Sequence, residues 1–262
     1  MSTWDGNNYY YSGQGVVLIG ARDVAGLPAG LIPVGNVSDL KISIATSVLE
    51  HKESQTGQRG IDLRLTTETK CSLSMTVENY ISSNLALAVR GQETITAAGA
   101  VVDIPAGKVY IGKISPLGHA KVSAVVLKKA STTLVAYTNG MADGAWDYKL
   151  NADAGSVLWA AVPITAGLLD GDAFLQSYTH VKQSEIAGLV TGSQERYLRF
   201  EGLNTANNNS PVIIEVFKFS VDPLKELSMI SDSVQQFVLE GSVLADPLRL
   251  TGSKYFREVL LT

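Results

Sequence analysis

Residues 71–78 read Cys71-Ser72-Leu73-Ser74-Met75-Thr76-Val77-Glu78. Apolar and polar side chains alternate through this stretch without a break, which is the period of a strand with one face in the core. The same rhythm predicts strands at residues 40–45, 109–114, 196–202 and 212–221. Residues 122–127 are more continuously apolar and predict a strand buried on both faces. The chain is therefore expected to be mainly β.

One helix interrupts this pattern, at residues 82–90. Ser82, Ser83 and Asn84 offer capping side chains, residues 85–89 are good packing residues, and Gly91 is expected to stop the helix. A second short helix is predicted at residues 224–231, after a proline.

Composition excludes several classes of protein. Hydrophobic residues make up 45% of the 262 residues and charged residues 18%, so a sizeable core is expected. The 25 acidic residues outnumber the 21 basic ones, which argues against a protein that grips nucleic acid through clustered cations. Cys71 is the only cysteine. It is expected to be a core thiol in a reducing cytosol, since one cysteine forms neither a disulfide framework nor a multi-cysteine zinc site.

The chain shows neither a basic region followed by an apolar segment at its beginning nor an apolar run of bilayer-spanning length. We therefore expect no signal peptide, no membrane partner and assembly in the cytoplasm.

Residues suited to catalysis are present but do not form a recognisable constellation. His51, His119 and His180 lack metal-ligand spacing. His180 is expected to be a structural residue in a strand, His119 a turn residue, and His51 part of a solvated or interfacial ion pair. We expect no enzymatic activity, no metal and no cofactor.

Two further patterns do not change that expectation. The glycines of residues 13–20 have the wrong spacing for a dinucleotide loop and precede a predicted strand instead of a helix. The carboxylate pairs Glu50/Glu53 and Asp170/Asp172 fall in predicted loops, where acidic side chains are usually solvated.

The N-terminal arm, residues 1–12, is unusually aromatic. Trp4, Tyr9, Tyr10 and Tyr11 occur among glycines and asparagines, and burying such a side chain contributes roughly 1.5–3 kcal/mol. These aromatics are expected to pack either on the chain's own core or in a neighbouring subunit, where Tyr and Trp are favoured anchors.

Residues 49–64 form a long polar stretch that is predicted to be a loop. Ordering it costs about 1–2 kcal/mol per residue, and long loops in compact domains are usually functional or disordered. We expect partners to order this stretch. Its candidate contact residues are Glu50, His51, Lys52, Glu53, Gln58 and Arg59.

Composition shifts between residues 93 and 175, which are rich in Ala, Gly and Val with several turn signals. This segment is either a small β domain inserted between residues 1–92 and 176–262 or a set of long hairpins on one sandwich. The sequence leaves both arrangements open.

Several stretches carry a resemblance to a known family. They are Gly15-Val16-Val17-Leu18-Ile19-Gly20-Ala21-Arg22, residues 34–43, residues 49–59, Pro211-Val212-Ile213-Ile214-Glu215-Val216 and residues 240–247. Together they resemble the major tail tube proteins of siphophages, over residues 13–92 and 176–250.

That resemblance implies a β-sandwich with one flanking α-helix. It implies hexameric rings that stack into a virion tail, contact other tail proteins at the tube ends and conduct DNA without specific binding. Residues 49–64 would be the loop that bridges subunits, and residues 93–175 an inserted domain.

Other functions remain open from the residues alone. A β-sandwich carbohydrate-binding or receptor-binding virion module is the main alternative. A ring-forming tube of a contractile tail or secretion machine, and a hydrolase using loop carboxylates, are further alternatives.

Overall fold

The computed structural model describes residues 10–55 and 57–260, which form seventeen strands and one helix. The chain is thus mainly β, as the alternation predicts. In chain order the elements are β1 Gly13–Arg22, β2 Pro28–Pro33, β3 Val37–Lys52, β4 Ile61–Val77, α1 Ser82–Ala88, β5 Gln92–Thr96, β6 Gly99–Lys108, β7 Ile114–Pro116, β8 Val122–Lys129, β9 Thr132–Thr133, β10 Tyr148–Asn151, β11 Ser156–Trp159, β12 Ala173–His180, β13 Gln183–Ala187, β14 Glu195–Asn204, β15 Ser210–Val221, β16 Phe237–Val243 and β17 Phe256–Leu260.

The chain divides into two compact units. Unit 1 comprises Met1–Glu93 and Ile186–Thr262, and unit 2 comprises Thr94–Glu185. The first boundary lies one residue from the expected one. The expected second boundary, after residue 175, is wrong because it cuts through β12, which pairs with both β6 and β8. The chain segments at the two boundaries, β5 and β13, pair as a two-stranded sheet.

Unit 1 is built on one antiparallel sheet in the order β2-β1-β14-β15-β16-β4-β3, with β17 pairing with β15. Residues 71–77 form the buried half of β4. Leu73, Met75 and Val77 are at most 1% exposed, and Cys71 is 6% exposed. The predicted alternation and core thiol are confirmed, and each buried aliphatic side chain contributes about 1.5–3 kcal/mol.

The predicted helix is confirmed as α1, but its ends differ from expectation. No side chain caps its N-terminus. Asn84 is buried instead and donates hydrogen bonds from Nδ2 to the carbonyls of Val34 (2.7 Å) and Asn79 (3.0 Å). The left-handed residue that ends the helix is Arg90 (φ +47°) and not Gly91.

The second predicted helix is wrong, because residues 222–236 are irregular. Serines there bond locally: the Ser228 hydroxyl donates to the Ile230 carbonyl, and the Ser233 amide donates to Oγ of Ser231. Such bonds compete with helix formation.

Four of the other predicted strands are confirmed, since residues 40–45, 196–202, 212–221 and 122–127 lie in β3, β14, β15 and β8. The last is not buried on both faces, because Val126 is 37% exposed. The prediction of a strand at residues 109–114 is wrong. The Lys113 amide donates to the Tyr110 carbonyl, and Gly112 has φ +70°, so a turn forms there.

Unit 2 contains a three-stranded sheet, β10-β11-β7, and a four-stranded sheet, β6-β12-β8-β9. Its core is centred on Trp159, which is 1% exposed and packs edge-on against Tyr148 and Phe174. The indole donates to the Ser115 hydroxyl (2.9 Å), so the polar end of this large side chain is satisfied.

Candidate assembly surface

The polar stretch predicted to be a loop is mostly a β-hairpin. β3 and β4 pair from Val37–Val77 out to Lys52–Ile61. The described residues between the two strands, 53–55 and 57–60, lie outside the ladder, and the Glu53 amide donates to the Gly60 carbonyl at 2.8 Å. The loop prediction for residues 49–64 is therefore wrong at both ends, because residues 49–52 and 61–64 pair with each other as strands although neither face is buried within one chain.

The outer part of this hairpin is exposed on both faces. Every described strand residue of 45–52 and 61–70 is exposed, whereas burial of β4 begins at Cys71. We call residues 45–70 the projecting hairpin. A two-stranded ribbon without a packed face is only marginally stable in water. The apolar side chains of the projecting hairpin are exposed within one chain and are therefore available to a partner.

One face of the projecting hairpin is apolar. The regular ladder pairs Leu49 with Leu65 and His51 with Leu63, and side chains two apart along a strand share a face. Leu49, Leu63 and Leu65 are 57%, 47% and 49% exposed. Exposed apolar clusters of this kind mark interaction surfaces.

The opposite face of the same ladder carries Val48, Glu50, Arg64 and Thr66. Arg64 Nε lies 3.6 Å from a Glu50 carboxylate oxygen, and both side chains are largely exposed. The projecting hairpin is thus amphipathic, with an apolar face and a charged face.

The predicted contact residues all lie near the tip of the projecting hairpin. His51 Nδ1 lies 2.7 Å from Asp62 Oδ1 in an exposed contact, and this hydrogen bond lowers the pKa of the Asp62 carboxyl. Lys52 ends β3, and Glu53 accepts from the Gln55 amide at 2.8 Å. Gln58 and Arg59 lie in the turn, where Arg59 has a left-handed φ of +52°.

Sequence reasoning missed Leu63, Leu65 and Arg64 as members of this surface. The signal was present, since residues 61–65 read Ile-Asp-Leu-Arg-Leu with strict alternation. Merging these residues with the polar stretch before them concealed the strand.

Among the described strands, the path of the unit 1 sheet ends in two edge strands, β2 and β3, and β17 is a further edge strand that pairs only with β15. β2 pairs only with β1 and β3 only with β4 among the described strands. Unpaired edge groups are templates for pairing with another chain. β3 belongs both to a free edge and to the projecting hairpin, so the two candidate contacts are continuous.

Two aromatics of the N-terminal arm are described, and Trp4 and Tyr9 lie outside the described residues. Tyr10 is 67% exposed and Tyr11 56% exposed. Asn204 accepts from the Ser12 amide (2.9 Å) and donates to the Tyr10 carbonyl (3.0 Å), which fixes the path of the chain into β1.

The other candidate residues from the sequence occupy structural positions. β1 begins at Gly13, which confirms a strand in place of a phosphate loop. His180 ends β12, is 9% exposed and donates from Nδ1 to the Val181 carbonyl (3.1 Å), which confirms a structural residue. His119 lies between β7 and β8 and stacks on His180.

A partly buried charge cluster lies across three strands of unit 1. Burial disfavours the charge on Glu215, but hydrogen bonds from Arg257 and Arg199 outweigh burial and leave the pKa of this carboxyl below its usual value. Arg199 lies 2.7 Å away, and the cluster links β14, β15 and β17. Arg199 and Arg257 are both direct register partners of Glu215 in the sheet.

Across the described ranges, no group of three or more His, Cys, Asp or Glu residues is placed to hold a metal ion. In the same ranges no helix has the length and apolarity needed to cross a membrane.

A family model described as "Protein of unknown function UCP028589" matches residues 10–259. The match spans almost the whole chain, and the chain belongs to this family. A search of curated proteins finds no match.

Proposed function

We propose that this protein is the tail tube subunit of a long-tailed bacteriophage, a structural virion protein without enzymatic activity. Six copies close a ring, and rings stack into a tube that conducts DNA. The observation that carries the proposal is the projecting hairpin, residues 45–70, which is exposed on both faces within a single subunit.

The energetics of the projecting hairpin support a partner. Ordering its backbone costs about 1–2 kcal/mol per residue, and no described strand residue in it is buried. Burial of Leu49, Leu63 and Leu65 against a neighbouring copy would offset that cost by about 1.5–3 kcal/mol for each side chain. In a ring every subunit repeats the same contact.

The free edges of the sheet support ring closure. The β2 edge of one copy and the β3 edge of the next are different surfaces, so their pairing is a head-to-tail contact, and such contacts close into rings when the rotation allows. Closing the sheets into a continuous barrel would remove both exposed edges. The β-sandwich around this sheet is part of the same proposal.

The charge balance supports a channel that does not hold DNA. The 25 acidic residues outnumber the 21 basic ones and the net charge is −4, so little net attraction to phosphates is expected. We assign unit 2 the role of an inserted domain that ring formation does not require.

Negative-stain electron microscopy and sedimentation velocity of the purified protein over a concentration series test the proposal. Tubes or stacked rings with a central hole are expected above a threshold concentration. A protein that stays monomeric at every concentration, or forms solid aggregates without a hole, would reject it.

A further inference from the structure

The turn between β1 and β2 exposes two apolar side chains of unit 1. Val24 is fully exposed and Leu27 is 52% exposed. The Asp23 carboxylate accepts hydrogen bonds from the amides of Ala25 (2.9 Å) and Leu27 (2.8 Å), and the Asp23 amide donates to the Leu27 carbonyl (2.9 Å). Because these bonds fix the turn, an ordered backbone presents the two side chains to solvent.

A second turn, at residues 246–250, packs against the first. Arg22 Nη2, at the end of β1, lies 2.8 Å from Asp246 Oδ2, and the two side chains are 10% and 1% exposed. A Cβ added at Gly26 would lie 3.0 Å from Leu248 Cδ1. A largely buried ion pair and a close contact therefore hold the two turns together.

The two adjoining turns expose four apolar side chains. In the second turn Leu248 is 53% exposed and Leu250 is 92% exposed. We call the four residues the turn patch: Val24, Leu27, Leu248 and Leu250. Exposed apolar clusters mark interaction sites, and a surface that is already ordered has little conformational freedom to lose when a partner binds.

The turn patch and the projecting hairpin lie at opposite ends of the unit 1 sheet. Five antiparallel pairings link β1 to β3, so these two strands run in opposite directions. Their register defines one row of paired residues across the sheet: Ala21, Arg196, Phe219, Val243, Cys71 and Ile44. The chain continues beyond Ala21 into the first turn on one side of this row, and beyond Ile44 into the projecting hairpin on the other side.

The charges beside the two surfaces are of opposite sign. Arg249 lies within the second turn, and its guanidinium carbon is 3.7 Å from the centroid of the Phe217 ring, which holds a cation beside the turn patch. On the projecting hairpin, Asp62 is next to Leu63, and the hydrogen bond with His51 lowers the pKa of the Asp62 carboxyl. A cation beside one surface and an anion beside the other favour their encounter.

We propose that the apolar face of the projecting hairpin, formed by Leu49, Leu63 and Leu65, docks on the turn patch of a second copy. This inference rests on the proposed function and names the contact that stacks one ring on the next. The edge strands β2 and β3 lie at the sides of the sheet and serve ring closure, whereas these two surfaces lie at its ends. Because the two surfaces differ, the contact is head-to-tail and repeats along one axis without closing.

Added cysteines in the full chain test this contact directly. A chain with both Val24→Cys and Leu63→Cys, treated with a short bismaleimide at high concentration, should give a ladder of covalent oligomers, because each copy is then linked at both ends. Val24→Cys alone and Leu63→Cys alone should give no covalent dimer, because neither surface meets itself. The native Cys71 is 6% exposed and should not react, which the parent chain checks.

The matched control is a chain with Leu203→Cys and Leu63→Cys. Leu203 is 44% exposed and lies on β14, on the same side of the cross-sheet row as the projecting hairpin. It should give no ladder. Absence of a ladder from the Val24→Cys and Leu63→Cys chain, an equal ladder from the control, or dimers from Leu63→Cys alone overturns the proposal.

The role of the turn patch in stacking is tested by Val24→Asp together with Leu250→Asp. Both side chains are more than nine-tenths exposed, so the dilute subunit should unfold like the parent. The threshold concentration for tubes should rise by about tenfold or more, because a carboxylate would have to be buried in an apolar contact. Tubes at the parent's threshold overturn the proposal.

The two readings separate this contact from the tube function. A covalent ladder from a protein that forms neither rings nor tubes with a central hole would confirm the contact and reject the tube function. Hollow tubes without a ladder would reject the contact and leave the tube function standing.

Discussion

Ile44 and Cys71 pair across β3 and β4 at the point where the hairpin leaves the core of unit 1. Cys71 is 6% exposed, and burial raises the pKa of its thiol, whereas Ile44 is 61% exposed. Beyond this pair the described strand residues on both strands are solvated. Substitutions beyond it should therefore change assembly without changing the stability of the core.

The first prediction concerns the apolar face of the projecting hairpin. Replacing Leu49, Leu63 and Leu65 together by threonine keeps a β-forming residue at each position and removes the apolar surface. Tubes should be lost at the parent's threshold concentration. Thermal unfolding of the dilute subunit should stay close to that of the parent, because exposed substitutions usually change stability by less than about 0.5 kcal/mol.

Val48→Thr on the opposite face of the ladder is the matched control and should assemble like the parent. Circular dichroism on dilute samples and sedimentation on concentrated samples give the two readings. Normal tubes from the triple variant would exclude the leucine face from the contact.

The second prediction concerns the charges at the tip of the projecting hairpin. Replacing Glu50, Lys52, Glu53 and Arg59 by alanine should raise the threshold concentration for tubes. Exposed ion pairs contribute only about 0.2–1 kcal/mol each, but every ring repeats them. The threshold of the parent should also rise with salt, because screening weakens exposed charges.

The control for these charges is the Asp103–Lys128 pair of unit 2, whose atoms lie 2.8 Å apart. Alanine at both positions should leave the threshold unchanged. A tip variant with the parent's threshold and salt response would show that these charges do not mediate assembly.

Strands with one buried face could be predicted from the sequence. The alternation of residues 71–77 matches the burial of β4 residue by residue, because the core accepts only the apolar face. The helix at Ser82–Ala88 could be predicted for the same reason, since Ala88 packs in that core.

The candidate site could be predicted in position but not in conformation. Residues 45–52 and 61–70 gain no burial within one chain, so their strand structure depends on pairing with each other. The alternation of apolar and polar residues in a single sequence indicates which face is buried, and it does not reveal such pairing between exposed strands. The turn at Gly112 shows the reverse case, in which alternation occurs without a strand.

The third prediction is that the protein shows no affinity for duplex DNA in the micromolar range. Non-specific DNA-binding proteins typically reach ~10⁻⁴–10⁻⁶ M at physiological salt, with a steep salt dependence. Labelled duplex should show no saturable anisotropy change at moderate salt. Micromolar binding with a steep salt slope would contradict a channel that conducts DNA passively.

The fourth prediction separates the two units. Replacing Thr94–Glu185 by a short Gly/Ser linker should leave a soluble unit 1 that still forms rings, because each unit has its own hydrophobic core. A deletion of residues 93–175 is the comparison. It leaves the end of β12, with the buried Tyr178 and His180, without partner strands.

The protein that lacks Thr94–Glu185 should unfold cooperatively, and the protein that lacks residues 93–175 should aggregate. Solubility, thermal unfolding and electron microscopy on both proteins give the answer. Insolubility of the Thr94–Glu185 deletion would show that unit 1 needs unit 2 to fold.

The fifth prediction is a loss of stability of unit 2 in acid, caused by a stacked pair of imidazoles. The ring planes of His119 and His180 are stacked and parallel to within 5°, and the ring centroids lie 3.8 Å apart. The Tyr178 hydroxyl is 2.8 Å from His119 Nδ1. Burial and the proximity of His180 lower the pKa of His119 below its ordinary value of 6.5.

The sign follows from proton uptake. With a lower pKa in the folded state, His119 binds a proton more readily when unfolded, so unfolding takes up protons as the pH falls through about 6.5. The contribution of His119 to the stability of unit 2 is present above about pH 6.5. It decreases as the pH falls from there through the lower pKa that His119 has in the folded state. Unit 2 should therefore melt at a lower temperature at pH 5.5 than at pH 7.5.

The measurement uses a Trp4→Phe background, in which the remaining tryptophans, Trp146 and Trp159, both report on unit 2. His119→Phe keeps a ring against His180 but cannot take up a proton, so the difference between the two pH values should shrink. His51→Phe, on the projecting hairpin of unit 1, should leave it unchanged. If His119→Phe shows the same pH dependence as its parent, the stacked pair does not govern the acid stability of unit 2.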